Sequence, residues 1–170
     1  PYTTLFRSTY YNILSAYGEK LFLDKCDEAG VYGLIIPDLP CELTKKFKKE
    51  FYHHSVKIIS LIAMTASDAR IMQIAKNSEG FIYTVTMNAT TGNSGEFHPD
   101  LKRKIEYIKK VSKIPVVAGF GIKNPEHVKD IASVADGIVI GSEIVKRIEI
   151  DSRKEFITYI KSIRTALNSF

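Results

Sequence analysis

Three glycine turns close strand-like apolar runs in the second half of the chain. They are Thr91-Gly92 after residues 80–85, Gly119-Phe120-Gly121 after 114–118, and Gly141-Ser142 after 137–140. Glycine lets a backbone turn tightly and brings its N–H groups close to a ligand with no Cβ in the way. The second and third turns lead into predicted helices, whose first N–H groups carry partial positive charge. Such a place suits a phosphate. Two glycine turns at the ends of the last two strands of a β/α repeat match the phosphate site of a (β/α)8 barrel. Ser142 sits where it can cap the helix from Glu143 and also reach a ligand, because both tasks use the same helix start.

The elements that must carry these turns follow from hydrophobic period. Residues 19–29 read as a helix with Phe22, Cys26 and Ala29 on one face, and Gly30 stops it. Continuous apolar runs at 31–36, 56–62, 80–85, 114–118 and 137–140 read as buried strands. Between them lie amphipathic helices over 42–53 (Leu43, Phe47, Phe51), 68–76 (Ile71, Ile74, Ala75) and 100–111 (Leu101, Ile105, Ile108, Val111). Asn124-Pro125 is an N-cap followed by proline at the first helical position, and Val128, Ile131 and Ala132 form the buried face behind it. A helix opens at 143–147, and 152–167 closes the chain with Phe156, Ile160, Ile163 and Leu167 inward. Strand and helix alternate, which predicts an α/β fold with a parallel sheet. Only residues 86–99 break the rhythm; a polar loop of that length in a compact domain usually carries function.

At 170 residues the chain is one domain's worth. It is 45% hydrophobic and 25% charged, as ordinary soluble domains are. A net charge of +5 without a concentrated basic stripe argues against nucleic acid. Cys26 and Cys41 lack metal or redox spacing, so a reduced, cytoplasmic setting is expected. No apolar run approaches the ~20 residues of a membrane span. The four histidines, His53, His54, His98 and His127, show no ligand spacing and read as surface residues.

Four segments, GLIIPDLP (33–40), FIYTVTMNATTG (81–92), PVVAGFGIKNPEHV (115–128) and ADGIVIGSEIVKRIE (135–149), together resemble the tryptophan synthase alpha subunit. The resemblance covers essentially all residues from Thr9 on. It implies an incomplete (β/α)8 TIM barrel, with about five whole β/α units and the end of strand three. It implies a lyase, the retro-aldol cleavage of indole-3-glycerol phosphate to indole and glyceraldehyde 3-phosphate in tryptophan biosynthesis. The partner implied is the beta subunit, in an alpha-beta heterotetramer; the pyridoxal phosphate belongs to that subunit, and none is expected here. The Pro37–Pro40 turn falls where the family faces its beta subunit. By matching position, Gly92, Gly119, Gly121, Gly141 and Ser142 would hold phosphate. Ile35, Tyr83 and Phe120 would line the indole pocket. Thr91 would help close the loop after strand six.

The family's catalytic Glu and Asp lie in a LELGVPFSDP-like motif, and no residue of 9–170 matches it. Asp38 is not assigned that role. No catalytic residue is therefore expected in this chain, which is read as inactive alone. Two smaller departures are Cys41 after the DLP turn and Met87-Asn88 at the start of the long loop. Residues 1–8, PYTTLFRS, show no strand or helix period and join abruptly to Thr9. One back-translation, CCC TAC ACG ACG CTC TTC CGA TCT, ends a common sequencing-library adapter. They are read as a non-native segment, with 9–170 the C-terminal part of a single barrel domain. Residues 9–12 are read as the end of a strand, and the strands at 31–36 and 137–140 are expected to have open edges. Two other readings stay open: a different phosphate-binding barrel enzyme of the epimerase or isomerase kind, and a non-catalytic remnant that binds phosphate and a partner.

Overall fold

Six strands, all parallel, lie side by side in chain order in the computed structural model. The structure describes residues 4–86, 97 and 99–169. The strands are β1 Leu5–Ser8, β2 Val31–Ile35, β3 Lys57–Ala63, β4 Ile82–Val85, β5 Val116–Gly119 and β6 Gly137–Val139. Helices α1 Tyr11–Tyr17 and α2 Glu19–Glu28 follow β1, and α3 Cys41–Glu50 and α4 Asp68–Ala75 follow β2 and β3. After β4 comes α5 Leu101–Val111, after β5 α6 Pro125–Ala132, and after β6 α7 Ser142–Ile150 and α8 Arg153–Leu167.

Side chains alternate across a strand, so register divides the sheet into two faces. Ile35 pairs with Ile59; two residues on, Leu61 pairs with Tyr83, and Tyr83 with Val117. Those residues share the face that would look into a closed barrel. The other face carries Leu34, Ile58, Ile62, Ile82, Val116 and Ala118, all buried beneath helices. Its larger cluster joins Ile71 and Ile74 of α4, Ile105 and Ile108 of α5, and Val128 and Ile131 of α6 to Tyr159 and Ile163 of α8. A second gathers Leu14, Leu23, Cys26 and Phe47 around Leu34.

The first eight residues differ from expectation. Leu5–Ser8 is a strand, and it pairs in parallel with β2 from Leu5↔Val31 to Ser8↔Ile35. Backbone pairing asks no hydrophobic period of the added strand. Phe6 gives it a side-chain anchor too, reaching over Gly33, where a Cβ would lie 2.9 Å from the Phe6 ring. The β2 edge is therefore covered. Residues 9–12 are not the end of a strand: α1 begins at Tyr11, and its N–H donates to Asp38 Oδ1 at 2.8 Å. That bond gives Asp38 a structural task, satisfying a donor left open at a helix start.

The helix faces are close to expectation, with three shifts. Leu43 of α3 is exposed while Phe47 is buried. Helix α8 buries Tyr159, Ile163 and Ala166, whereas Ile160 faces outward. Helix α7 buries no residue at all. Of the expected caps, Asn124 is present, accepting from His127 N–H at 2.8 Å with Pro125 behind it. Ser142 is not a cap: it is the first residue of α7, whose N-cap is Gly141 with no side-chain bond. Ser152 and Glu155 add a reciprocal capping box at α8 that was not expected.

Candidate functional site

All six strands run the same way, so their C-terminal ends share one edge of the sheet. There β4, β5 and β6 deliver Thr86, Gly119-Phe120-Gly121 and Gly141-Ser142. Phe120 and Gly121 both take positive φ, 78° and 75°. This is a left-handed pair that a glycine tolerates and a phenylalanine rarely adopts. Thr86, fully buried, holds the turn from below. Its N–H donates to Gly119 O at 2.9 Å, and its hydroxyl lies at 2.8 Å from the same oxygen and also against Phe120 O. The Gly121 carbonyl lies 3.2 Å from His127 Nδ1 on α6. The Gly119 and Phe120 carbonyls thus meet Thr86 donors, and the Gly121 carbonyl meets an imidazole nitrogen.

The N–H groups differ from the carbonyls in having no such partner among the described residues. Among the described residues, no acceptor meets the N–H of Phe120, Gly121, Gly141 or Ser142. Their residues border an open cleft of about 550 Å³, lined by Tyr83, Phe120 and Gly121 together with Gly141, Ser142 and Lys146. Open donors with the competing carbonyls turned away describe an anion site. Lys123 and Lys146 add positive charge to its rim. Glu143 is there too, but Arg147 Nε engages its carboxylate at 2.8 Å.

Tyr83 and Phe120 supply the aromatic wall. Their rings meet edge to face with centroids 5.9 Å apart. Tyr83 is 7% exposed, and burial pushes its phenol above the ordinary value. Its ring lies over Gly119 so closely that a Cβ there would sit 2.1 Å from the phenolic oxygen. Gly119 is a glycine because of that approach.

Of the residues expected at the site, Gly119, Phe120, Gly121, Gly141, Ser142 and Tyr83 come together at these strand ends. Ile35 sits on the same sheet face, two strands from Tyr83, and does not line the cleft. Thr91 and Gly92 lie outside the described residues, as do Met87, Asn88 and His98. Sequence reasoning missed Thr86, Lys123, Lys146 and His127. The two lysines follow the glycine turns closely enough to have been found; Thr86 carries no signal beyond its place at a strand end. Two histidines are not surface residues: the His54 side chain is 4% exposed with Nδ1 2.6 Å from Asp27, and His127 is half-buried against the turn. Among the described residues, no three His, Cys, Asp or Glu side chains gather as a metal site, and no helix is long and apolar enough to cross a membrane.

A parallel sheet curled as part of a barrel, helices on its outer face and glycine turns at its strand ends define a TIM-barrel protein. Comparison with known proteins narrows this to one family. The family model for the tryptophan synthase alpha chain matches residues 3–168, and the chain belongs to that family. It is 98% identical over 161 residues to the tryptophan synthase alpha chain of Staphylococcus epidermidis (strain ATCC 12228 / FDA PCI 1200), across 95% of this chain and 66% of the relative. With the Staphylococcus aureus (strain Newman) alpha chain the identity is 63% over the same shares. The chain thus spans about two thirds of the length of these relatives. Among solved structures, the Campylobacter jejuni alpha subunit superimposes with a TM-score of 0.81 at 28% identity, across 96% of this chain and 66% of that one. A chain of the Pyrococcus furiosus tryptophan synthase α2β2 complex gives 0.82 at 29%, across 99% and 68%.

Proposed function

We propose that the chain supplies the phosphate-binding and aromatic half of an alpha subunit that cleaves indole-3-glycerol phosphate to indole and glyceraldehyde 3-phosphate. The observation that carries this is the polarity of the strand-end turns. The carbonyls of residues 119–121 meet Thr86 and His127, while among the described residues four N–H groups of cleft-lining residues have no acceptor. The phosphate of the substrate fits those donors, and Tyr83 and Phe120 offer the apolar faces an indole ring needs. Thr91-Gly92 belong to the same reading as residues of the loop after β4 that would meet the ligand, and Ile35 shares the sheet face with Tyr83 without lining the cleft.

Cleavage requires an acid to protonate the indole carbon and a base to take the hydroxyl proton. None of Thr86, Tyr83, Ser142 or the lysines is set up for both tasks. We assign this chain binding without turnover: residues 9–170 belong to the barrel domain, residues 1–8 are a non-native segment that nevertheless pairs with β2, and catalysis depends on a Glu and an Asp that no residue of 9–170 matches. A beta subunit is the partner of the assembled protein, in the cytoplasm. The test is equilibrium dialysis with glyceraldehyde 3-phosphate, alongside an assay for indole released from indole-3-glycerol phosphate. Binding that is lost on Gly141→Pro, without release of indole, is expected. Indole release by the chain alone would overturn the binding-only assignment, and absence of any phosphate-ester binding would overturn the site.

A further inference from the structure

His127 belongs to no strand-end turn, yet it reaches the middle one. It is the third residue of α6, where its own N–H donates to Asn124 Oδ1 at 2.8 Å. That cap fixes the backbone from which the imidazole projects. Nδ1 then lies 3.2 Å from the Gly121 carbonyl oxygen. A carbonyl only accepts, so a hydrogen bond here requires the proton on Nδ1. The ring is held from its flank by Phe97, edge to face at 4.9 Å between centroids. Phe97 follows the long connection from β4, so one imidazole joins the foot of that connection to the glycine turn of β5.

The consequence is electrostatic. A peptide unit that offers its N–H to an anion turns its carbonyl the opposite way. A carbonyl oxygen left free could swing toward the cleft and repel the ligand. Each carbonyl shares its peptide unit with the N–H of the next residue, so Thr86 fixes the units that carry the Phe120 and Gly121 N–H groups, and His127 fixes the unit from Gly121 O to Ile122 N–H, at a glycine where no Cβ restricts rotation. We propose that His127 is a positioning residue: through Nδ1–H it fixes the Gly121–Ile122 peptide and so holds Gly121 in the left-handed conformation from which the turn presents its donors to a phosphate group. This rests on the anion-site reading above, and it adds the residue on which the turn's geometry depends.

Two measurements on the full 170-residue chain test it. The first needs no substitution. Nitrogen-15 NMR of the imidazole at neutral or higher pH reports which ring nitrogen holds the proton, and an Nδ1–H tautomer for His127 is expected. A bare Nδ1 would overturn the proposal. The second is equilibrium dialysis with inorganic phosphate. His127→Leu, which has no donor, should bind about tenfold more weakly, the effect of losing one placed hydrogen bond. His127→Gln, whose amide can donate along the same line, should recover most of the loss. Equal affinity in all three chains would overturn the role, as would a Gln variant no better than Leu. Should the Leu variant not fold, His127→Asn replaces it, being too short to reach Gly121, with the same two outcomes. If the unaltered chain binds no phosphate, the anion reading fails by itself. The hold on the turn is then decided by the tautomer and by whether the Gly121 and Ile122 amide resonances move in the variants.

Discussion

Gly119 and Tyr83 are a coupled pair in which each residue sets what the other can be. A methyl group on Gly119 would meet the Tyr83 ring at 2.1–2.9 Å, well inside contact distance. The ring cannot retreat freely, because it is buried and Phe120 stands 5.9 Å away. Gly119→Ala should therefore cost roughly 1–3 kcal/mol in urea unfolding, the range for overpacking a filled site. In a Tyr83→Val background the same change should cost clearly less, since the clashing atoms are gone. Equal costs in the two backgrounds would show that the pair is not coupled. Thr86 makes the complementary case. Thr86→Val keeps the shape and removes the hydroxyl that meets two carbonyl oxygens. Gly119 O keeps the Thr86 N–H as a donor, whereas Phe120 O loses its partner. The expected result is about 1–2 kcal/mol of lost stability. Phosphate binding should weaken by more than that loss of fold accounts for, and unchanged phosphate affinity would remove Thr86 from the site.

Elements are joined by a few side chains whose charge matters. Asp136 lies just before β6, where its N–H donates to Val116 O and its Oδ2 accepts from Val116 N–H, both at 2.8 Å. Its other oxygen pairs with Lys109 of α5 at 2.8 Å. Partial burial pushes the Asp136 carboxyl up, but the Lys109 and Val116 hydrogen bonds outweigh it and hold the group below its ordinary 3.8. A depressed carboxyl stabilises the fold above its unfolded value, and that stability is lost as pH falls through the folded value. Asp136→Asn should therefore be less stable than the parent at pH 7, by about 1 kcal/mol or less given the exposure of the pair. The gap should close as pH drops below about 4, where the parent is protonated too. A gap that stays constant from pH 7 to 3 would mean charge plays no part in this junction. How much of such an element is legible in sequence varies with cause. Helix α4 was readable through Ile71, Ile74 and Ala75, and α6 through Asn124-Pro125, because period and cap chemistry are local. Helix α8 offered two stripes that share Phe156 and Ile163. The stripe through Tyr159 is the buried one, and the Arg147 guanidinium lies 4.0 Å from that ring, a contact between helices that no local pattern contains. Strand β1 was illegible because pairing with β2 needs only backbone groups. His54 and His127 were misread for the same reason: their partners, Asp27 and Gly121, are fixed by the fold and not by spacing.

At the scale of the molecule the sheet is open, and its outer strands each pair on one side only. The β6 edge is three residues long, too short to template much pairing. The larger exposure is on the helices beside it. Val145, Ile148 and Ile150 of α7 are 57%, 64% and 66% exposed, and Ile157 and Ile160 of α8 add to the same region of sequence. Covering the exposed parts of three such side chains on each of two copies yields on the order of 6–9 kcal/mol, at about 1–1.5 kcal/mol each. Association costs about 4–15 kcal/mol in lost freedom. The two nearly cancel, so contact through α7 should be weak and reversible and not a tight dimer. Sedimentation velocity should show the average mass rising with concentration above the 19.1 kDa monomer. Val145→Lys with Ile148→Lys should return it to monomer without loss of fold, since neither side chain is buried. A single 19.1 kDa boundary at every concentration would show that the exposed α7 face is inert. Self-association that persists in the lysine variant would place the contact at the sheet edges instead, and Val139→Pro in β6 would then be the change that removes it.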